Sequence, residues 1–234
     1  MKILLFEDNP ENMNVAQQAM STHQEHEFTF STKAGAALES LAGSDGLITD
    51  FFAPVEDGRI EEVYQDLYFN SLLDALDGIV SFSTPKSEQG KELKGFINNL
   101  LYVGGFFSND IHRLYDQIET FFASSRGRPP EKDYLQTNRG YGGVLMMQAY
   151  EQGKPCVLFS DLHRHALETS MGNPINGMVM LAPLMEKGIF TPEQLNAHTT
   201  DQGSYLISSA GYCKKGKDSP EQWELAYQKL MSQF

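Results

Sequence analysis

Lys2-Ile-Leu-Leu-Phe6 is an apolar run behind a single charged residue, the pattern of a short strand buried on both faces. Asn9-Pro10 then supplies an N-cap followed by proline at the first helical position. Met13, Ala16 and Met20 recur at helical spacing after it, which predicts a first helix. His26–Thr32 alternates, with Phe28 and Phe30 on one face, and predicts a second strand. Lys33–Leu41 is Ala-rich, is closed by Gly43 and predicts a second helix; Leu47–Asp50 follows as a third strand. A βαβαβ order of this kind requires a parallel sheet with right-handed crossovers.

The rhythm breaks after residue 58. Residues 59–138 carry helical periods and little strand signal: Val63, Tyr64, Leu67, Leu72, Leu73 and Leu76, then Leu93–Leu101, then Ile111–Phe122. They read as a helical insertion after strand three, with Ser124–Pro130 as a loop. The α/β order resumes with a helix over Tyr141–Gln152 and a fourth strand from Cys156 to Phe159, which ends in Ser160-Asp161. Thr191-Pro-Glu-Gln194 and Ser219-Pro-Glu-Gln222 read as capping boxes. Between them, Tyr205–Ser208 is a fifth strand. The last helix has Trp223, Ala226, Tyr227, Leu230 and Phe234 on its apolar face. The expected architecture is α/β: a doubly wound five-stranded parallel sheet of flavodoxin-like order with one helical insertion.

Composition narrows the choice. A net charge of −13 over 234 residues argues against a nucleic-acid partner, because neutralising phosphates takes clustered Lys and Arg. The basic patches around Arg126–Arg128, Arg164 and Lys214–Lys217 are short. No stretch approaches the length of a membrane span, and the first apolar run is too short for a signal peptide. Cys156 and Cys213 make no disulfide framework, so reduced thiols and a cytoplasmic location are expected.

The candidate chemistry lies at the strand ends. The first strand runs into Glu7-Asp8, and the third ends in Asp50. Open α/β sheets place their ligands at this edge, and three carboxylates gathered there repel one another unless a cation or a proton intervenes. Hard oxygen ligands point to a Mg²⁺-type ion. An acidic pair after strand one, followed by Asp50-x-x-x-Pro54-x-x-x-Gly58 after strand three, resembles the receiver domain of bacterial response regulators. The resemblance spans 1–58 and, more loosely, 139–234, which would together form one α/β domain; it does not reach 59–138.

The resemblance implies Asp50 as phospho-acceptor, Glu7 and Asp8 as metal-binding acids, and the Phe52 carbonyl as a further ligand to Mg²⁺. It also implies Ser160 as the hydroxyl that hydrogen-bonds the phosphoryl group, and a sensor kinase or other protein as partner. A lysine belongs at the end of strand five, yet Leu206–Gly211 contains none. Lys214, Lys215 and Lys217 follow only afterwards, and Lys214 and Lys217 are the candidates to reach the site. Two other readings stay open: a pseudo-receiver that binds partners without phosphorylation, and a metal-dependent enzyme. The enzyme would use the Asp161–His165 loop for acid/base work and the insertion as a lid. A homodimer is compatible with each. Gly140–Gly143 lacks the lysine and Ser/Thr of a phosphate loop and reads as a flexible re-entry from the insertion.

Overall fold

Every residue of Ile3–Phe6 is fully buried, and helices covering both sides of the strand explain why. The structure is a computed structural model describing residues 1–69, 138–160 and 217–234, with short pieces at 183–184, 187–189 and 206–208. Strands β1 (Lys2–Phe6), β2 (Glu27–Ser31), β3 (Gly46–Thr49) and β4 (Cys156–Ser160) form a parallel sheet in the order β2-β1-β3-β4. The register sets Phe6 beside both Ser31 and Thr49, and Leu47 beside Cys156. A three-residue segment, Leu206–Ser208, runs parallel along the far side of β4.

One face of the sheet presents Ile3, Leu5, Ile48, Val157 and Phe159. Helix α1 (Pro10–Met20) covers it with Met13, Ala16, Ala19 and Met20. From the C-terminus, the helix over Pro220–Met231, numbered α5 in chain order, adds Trp223, Ala226, Tyr227 and Leu230. Each fully buried aliphatic or aromatic side chain of this kind contributes about 1.5–3 kcal/mol. The other face packs against α2 (Ala34–Leu41) and α4 (Tyr141–Glu151), which also touch each other.

The capping chemistry departs from expectation in one place. Asn9 caps α1 as its position implies, accepting the Glu11 N–H at 2.9 Å. Ser219, by contrast, makes no cap bond to α5, because its hydroxyl donates instead to the nearby Glu221 carboxylate. Helix α2 has no capping side chain of its own. The Glu56 carboxylate fills that role from the loop after β3, accepting the Ala34 N–H at 2.6 Å and the Gly35 N–H at 3.0 Å. Phe234 lies beyond the end of α5 and is 55% exposed, so it does not extend the buried face.

After β3 the chain makes a two-residue antiparallel bridge, with Ala53 opposite Arg139 and Pro54 opposite Asn138. This bridge brings the chain at residue 138, the end of the 59–138 segment, back to the loop that follows β3. Gly58 takes φ = 93°, a conformation that favours glycine, and leads into α3 (Arg59–Val63), which passes into a π-helical turn at Tyr64–Phe69. The helices expected at Leu93–Leu101 and Ile111–Phe122 lie outside the described residues. So do the Thr191–Gln194 box, the Asp161–His165 loop, Cys213, Lys214 and Lys215. No helix among the described residues is long and apolar enough to cross a membrane.

Candidate functional site

Strands β1 and β3 are adjacent, parallel and in register, so the residues that follow them emerge side by side. The Asp50 N–H donates to the Phe6 carbonyl at 2.8 Å, and the Glu7 N–H to the Ser31 carbonyl at 3.2 Å. Glu7, Asp8 and Asp50 thus each offer a carboxylate oxygen, and these oxygens all lie within 4.8 Å of one another. Like charges this close need compensation.

Part of that compensation comes from Lys217. Its Nζ lies 2.6 Å from Glu7 Oε2 and 2.8 Å from Asp50 Oδ2, and the residue is only 3% exposed. Of the two candidate lysines, Lys217 is among the described residues, and the structure brings it to Asp50. It arrives from the turn before α5 and not from the end of a strand, which is why a search at the strand end does not find it. The fourth strand ends at Ser160, whose backbone pairs opposite Ser208.

The remaining oxygens are held as well. Glu7 Oε1 accepts the Asn9 N–H at 3.2 Å and an Asn12 side-chain N–H at 3.1 Å. Asp50 Oδ1 accepts the Phe51 N–H at 2.6 Å. Phe51 and Phe52 are both buried, their rings edge to face at 4.8 Å, and they close the apolar side of the loop. Glu7 is almost wholly buried whereas Asp8 and Asp50 are partly exposed, so the open side of the site belongs to the two aspartates.

Burial sets the protonation of this group. Glu7 is pushed up to about 7 by desolvation, with Lys217 pulling the other way and Asp50 adding to the rise. Asp8 is raised to about 6, again by burial first and by the Asp50 charge second. For Lys217, burial acts to lower the pKa, but the Asp50 and Glu7 carboxylates outweigh it and hold the ammonium above its ordinary value. The lysine therefore stays charged, and it is the excess of acids that takes up protons.

Gly140–Gly143 is built against the Asp50 loop and is not a loose re-entry. The Gly142 N–H donates to the Phe51 carbonyl at 3.0 Å. A Cβ at Gly142 would stand 1.7 Å from the Asp50 carbonyl oxygen and 2.8 Å from Phe51 Cα, so only glycine allows the first turn of α4 this close. Next to it, the buried Tyr141 hydroxyl donates to Glu61 Oε2 at 2.5 Å and accepts the Glu56 N–H at 3.0 Å. Arg139, also buried, has its Nε 3.7 Å from Glu61 Oε1. Tyr141, Glu61 and Arg139 carry no local pattern that marks them in the sequence.

No family model, curated protein or solved structure matches this chain.

Two predictions follow from the geometry. Replacing Lys217 with methionine strands Glu7 and Asp50 without their buried counter-charge and should lower stability by about 3–5 kcal/mol near neutral pH. Urea denaturation measures this, and a loss below about 1 kcal/mol, the range of an exposed pair, would contradict the burial of the contact.

Glu7 and Asp8 have folded values near 7 and 6 against ordinary values of 4.5 and 3.8. The folded state therefore keeps protons that the unfolded chain has released, and stability falls as pH rises through this window. Without divalent ions the melting temperature should decline from about pH 4.5 to pH 7. Glu7→Gln should flatten the decline. A wild-type profile that rises over the same range would contradict the assignment.

Proposed function

We propose that this chain is a receiver-like signalling protein in which Asp50 accepts a phosphoryl group and the output is a protein–protein contact. The observation that carries this reading is the Lys217 ammonium shared between Glu7 and Asp50 at the C-terminal edge of a parallel sheet. The proposal extends to the finer fold, a doubly wound five-stranded sheet of flavodoxin-like order, with Leu206–Ser208 as its fifth strand. It also extends to a cytoplasmic location, a sensor kinase as phosphodonor and a homodimer as one form of the output contact.

The donor set fits a small divalent ion. Three carboxylate oxygens lie within 4.8 Å of one another. When all are ionised, Lys217 leaves two formal negative charges over, which matches the charge and the oxygen preference of Mg²⁺. Asp8 and Asp50 would hold the ion on the open side, with Glu7 behind them and the Phe52 carbonyl as a further ligand. When bound, the ion would neutralise charge on the oxygens of the transferring group.

The side chains do the rest. The Phe51 N–H and the Lys217 ammonium fix the two oxygens of Asp50, so the carboxylate is oriented before a donor arrives. One carboxylate oxygen attacks phosphorus, and the new O–P bond forms as the bond to the leaving group breaks. That group departs with the electron pair, leaving an acyl phosphate on Asp50. Lys217 remains charged beside it. The pseudo-receiver alternative draws its support from a site with no lysine beside Asp50, and a lysine nitrogen 2.8 Å from the Asp50 carboxylate supports the phospho-acceptor instead.

Incubation with acetyl phosphate and Mg²⁺, followed by intact-mass measurement, tests the reading. The expected product is one added phosphoryl group that disappears in Asp50→Asn and when Mg²⁺ is chelated. No adduct on the wild type, or an adduct that persists in Asp50→Asn, would overturn it.

A further inference from the structure

Lys217 is not held by a strand, and a long flexible side chain reaches two buried carboxylates reliably only if its backbone is fixed. The structure shows one such restraint. The Trp223 indole is fully buried, and its Nε1–H donates to the Lys217 carbonyl at 2.8 Å, bridging the turn that precedes α5. An indole N–H can only donate, and when buried it must find an acceptor. Trp223 thus satisfies its own polar atom and sets the origin of the Lys217 side chain with one bond.

Phe159 on β4 ties the same two residues to the sheet. Its ring meets the Trp223 ring edge to face, with centroids 4.7 Å apart at 86°. The Lys217 Nζ lies 5.7 Å from the centre of that same ring, within the range in which an aromatic face attracts a cation. The indole holds the lysine at its backbone, and the Phe159 ring lies beneath its charged end.

We propose that Trp223 is the positioning residue for Lys217, holding the ammonium between Glu7 and Asp50 through the indole-to-carbonyl bond, with Phe159 supporting both. The proposal rests on the reading of Lys217 as the cation of the Asp50 site. It assigns α5 the role that the end of a fifth strand was expected to play.

Trp223 is the single tryptophan of the chain. It can therefore be exchanged uniformly for its sulfur analogue, benzothienylalanine, which keeps the bicyclic shape and lacks the N–H. Trp223→Phe is a second, encoded variant. Both are probed by reductive methylation of Lys217, read by peptide mass mapping. Alkylation of the buried Cys156 thiol on β4 runs in parallel as a gauge of global opening.

Loss of the donor should speed Lys217 methylation about tenfold, the equivalent of one hydrogen bond to a buried group, while Cys156 alkylation stays at the wild-type rate. If Lys217 in the benzothienylalanine protein stays as protected as in the wild type, the proposal is overturned. Equal acceleration at Lys217 and Cys156 would mean a general loosening of the core and would overturn it too. No phosphodonor enters the assay, so its outcome stands apart from whether Asp50 is phosphorylated.

Discussion

The ammonium of Lys217, shared between Glu7 and Asp50, is the interaction on which the strand-end edge depends. Burying a carboxylate as fully as Glu7 is costly unless a partner and hydrogen bonds meet it. Here the lysine meets Oε2, while the Asn9 N–H and the Asn12 amide meet Oε1. The arrangement answers part of the repulsion among the three acids and leaves the rest to protons or a divalent ion. An edge that is tight around Glu7 and open at Asp8 and Asp50 is the result.

The loop after β3 is fastened on two sides, which keeps Asp50 from drifting away from that cation. On one side Glu56 caps α2, so the loop and the helix N-terminus stabilise each other. On the other, the start of α4 presses Gly142 against the Asp50 peptide while Tyr141 reaches Glu56 and Glu61. The antiparallel bridge between Ala53–Pro54 and Asn138–Arg139 lies beside these contacts. The far end of the 59–138 segment is therefore paired to the chain just after Asp50, and its first helix is held to Tyr141 through Glu61.

Much of this was legible where the determinant is local. The apolar runs at Ile3–Phe6 and Leu47–Thr49 mark buried strands, and an acid directly after each has to emerge at one sheet edge because parallel neighbours share a direction. Asn9-Pro10 marks the start of α1 for equally local reasons. Lys217 was harder, since the partner that gives it meaning lies 210 positions away and nothing beside it in the sequence reports the contact. The Glu56 cap on α2 and the Gly142 approach to Asp50 are long-range in the same way. The Ser219 box failed for a local reason that pattern matching overlooks, since Glu221 offers the hydroxyl a competing acceptor.

The central claim is tested most directly by nuclear magnetic resonance on protein labelled with ¹⁵N at the lysine side chains. A buried ammonium held by two carboxylates exchanges its protons slowly, so Lys217 should give a protected NH₃⁺ signal near neutral pH, unlike lysines open to solvent. The signal should weaken when either Glu7→Gln or Asp50→Asn removes one of its two acceptors. A wild-type spectrum with no protected lysine signal, or one whose protected signal is indifferent to both substitutions, would contradict the account.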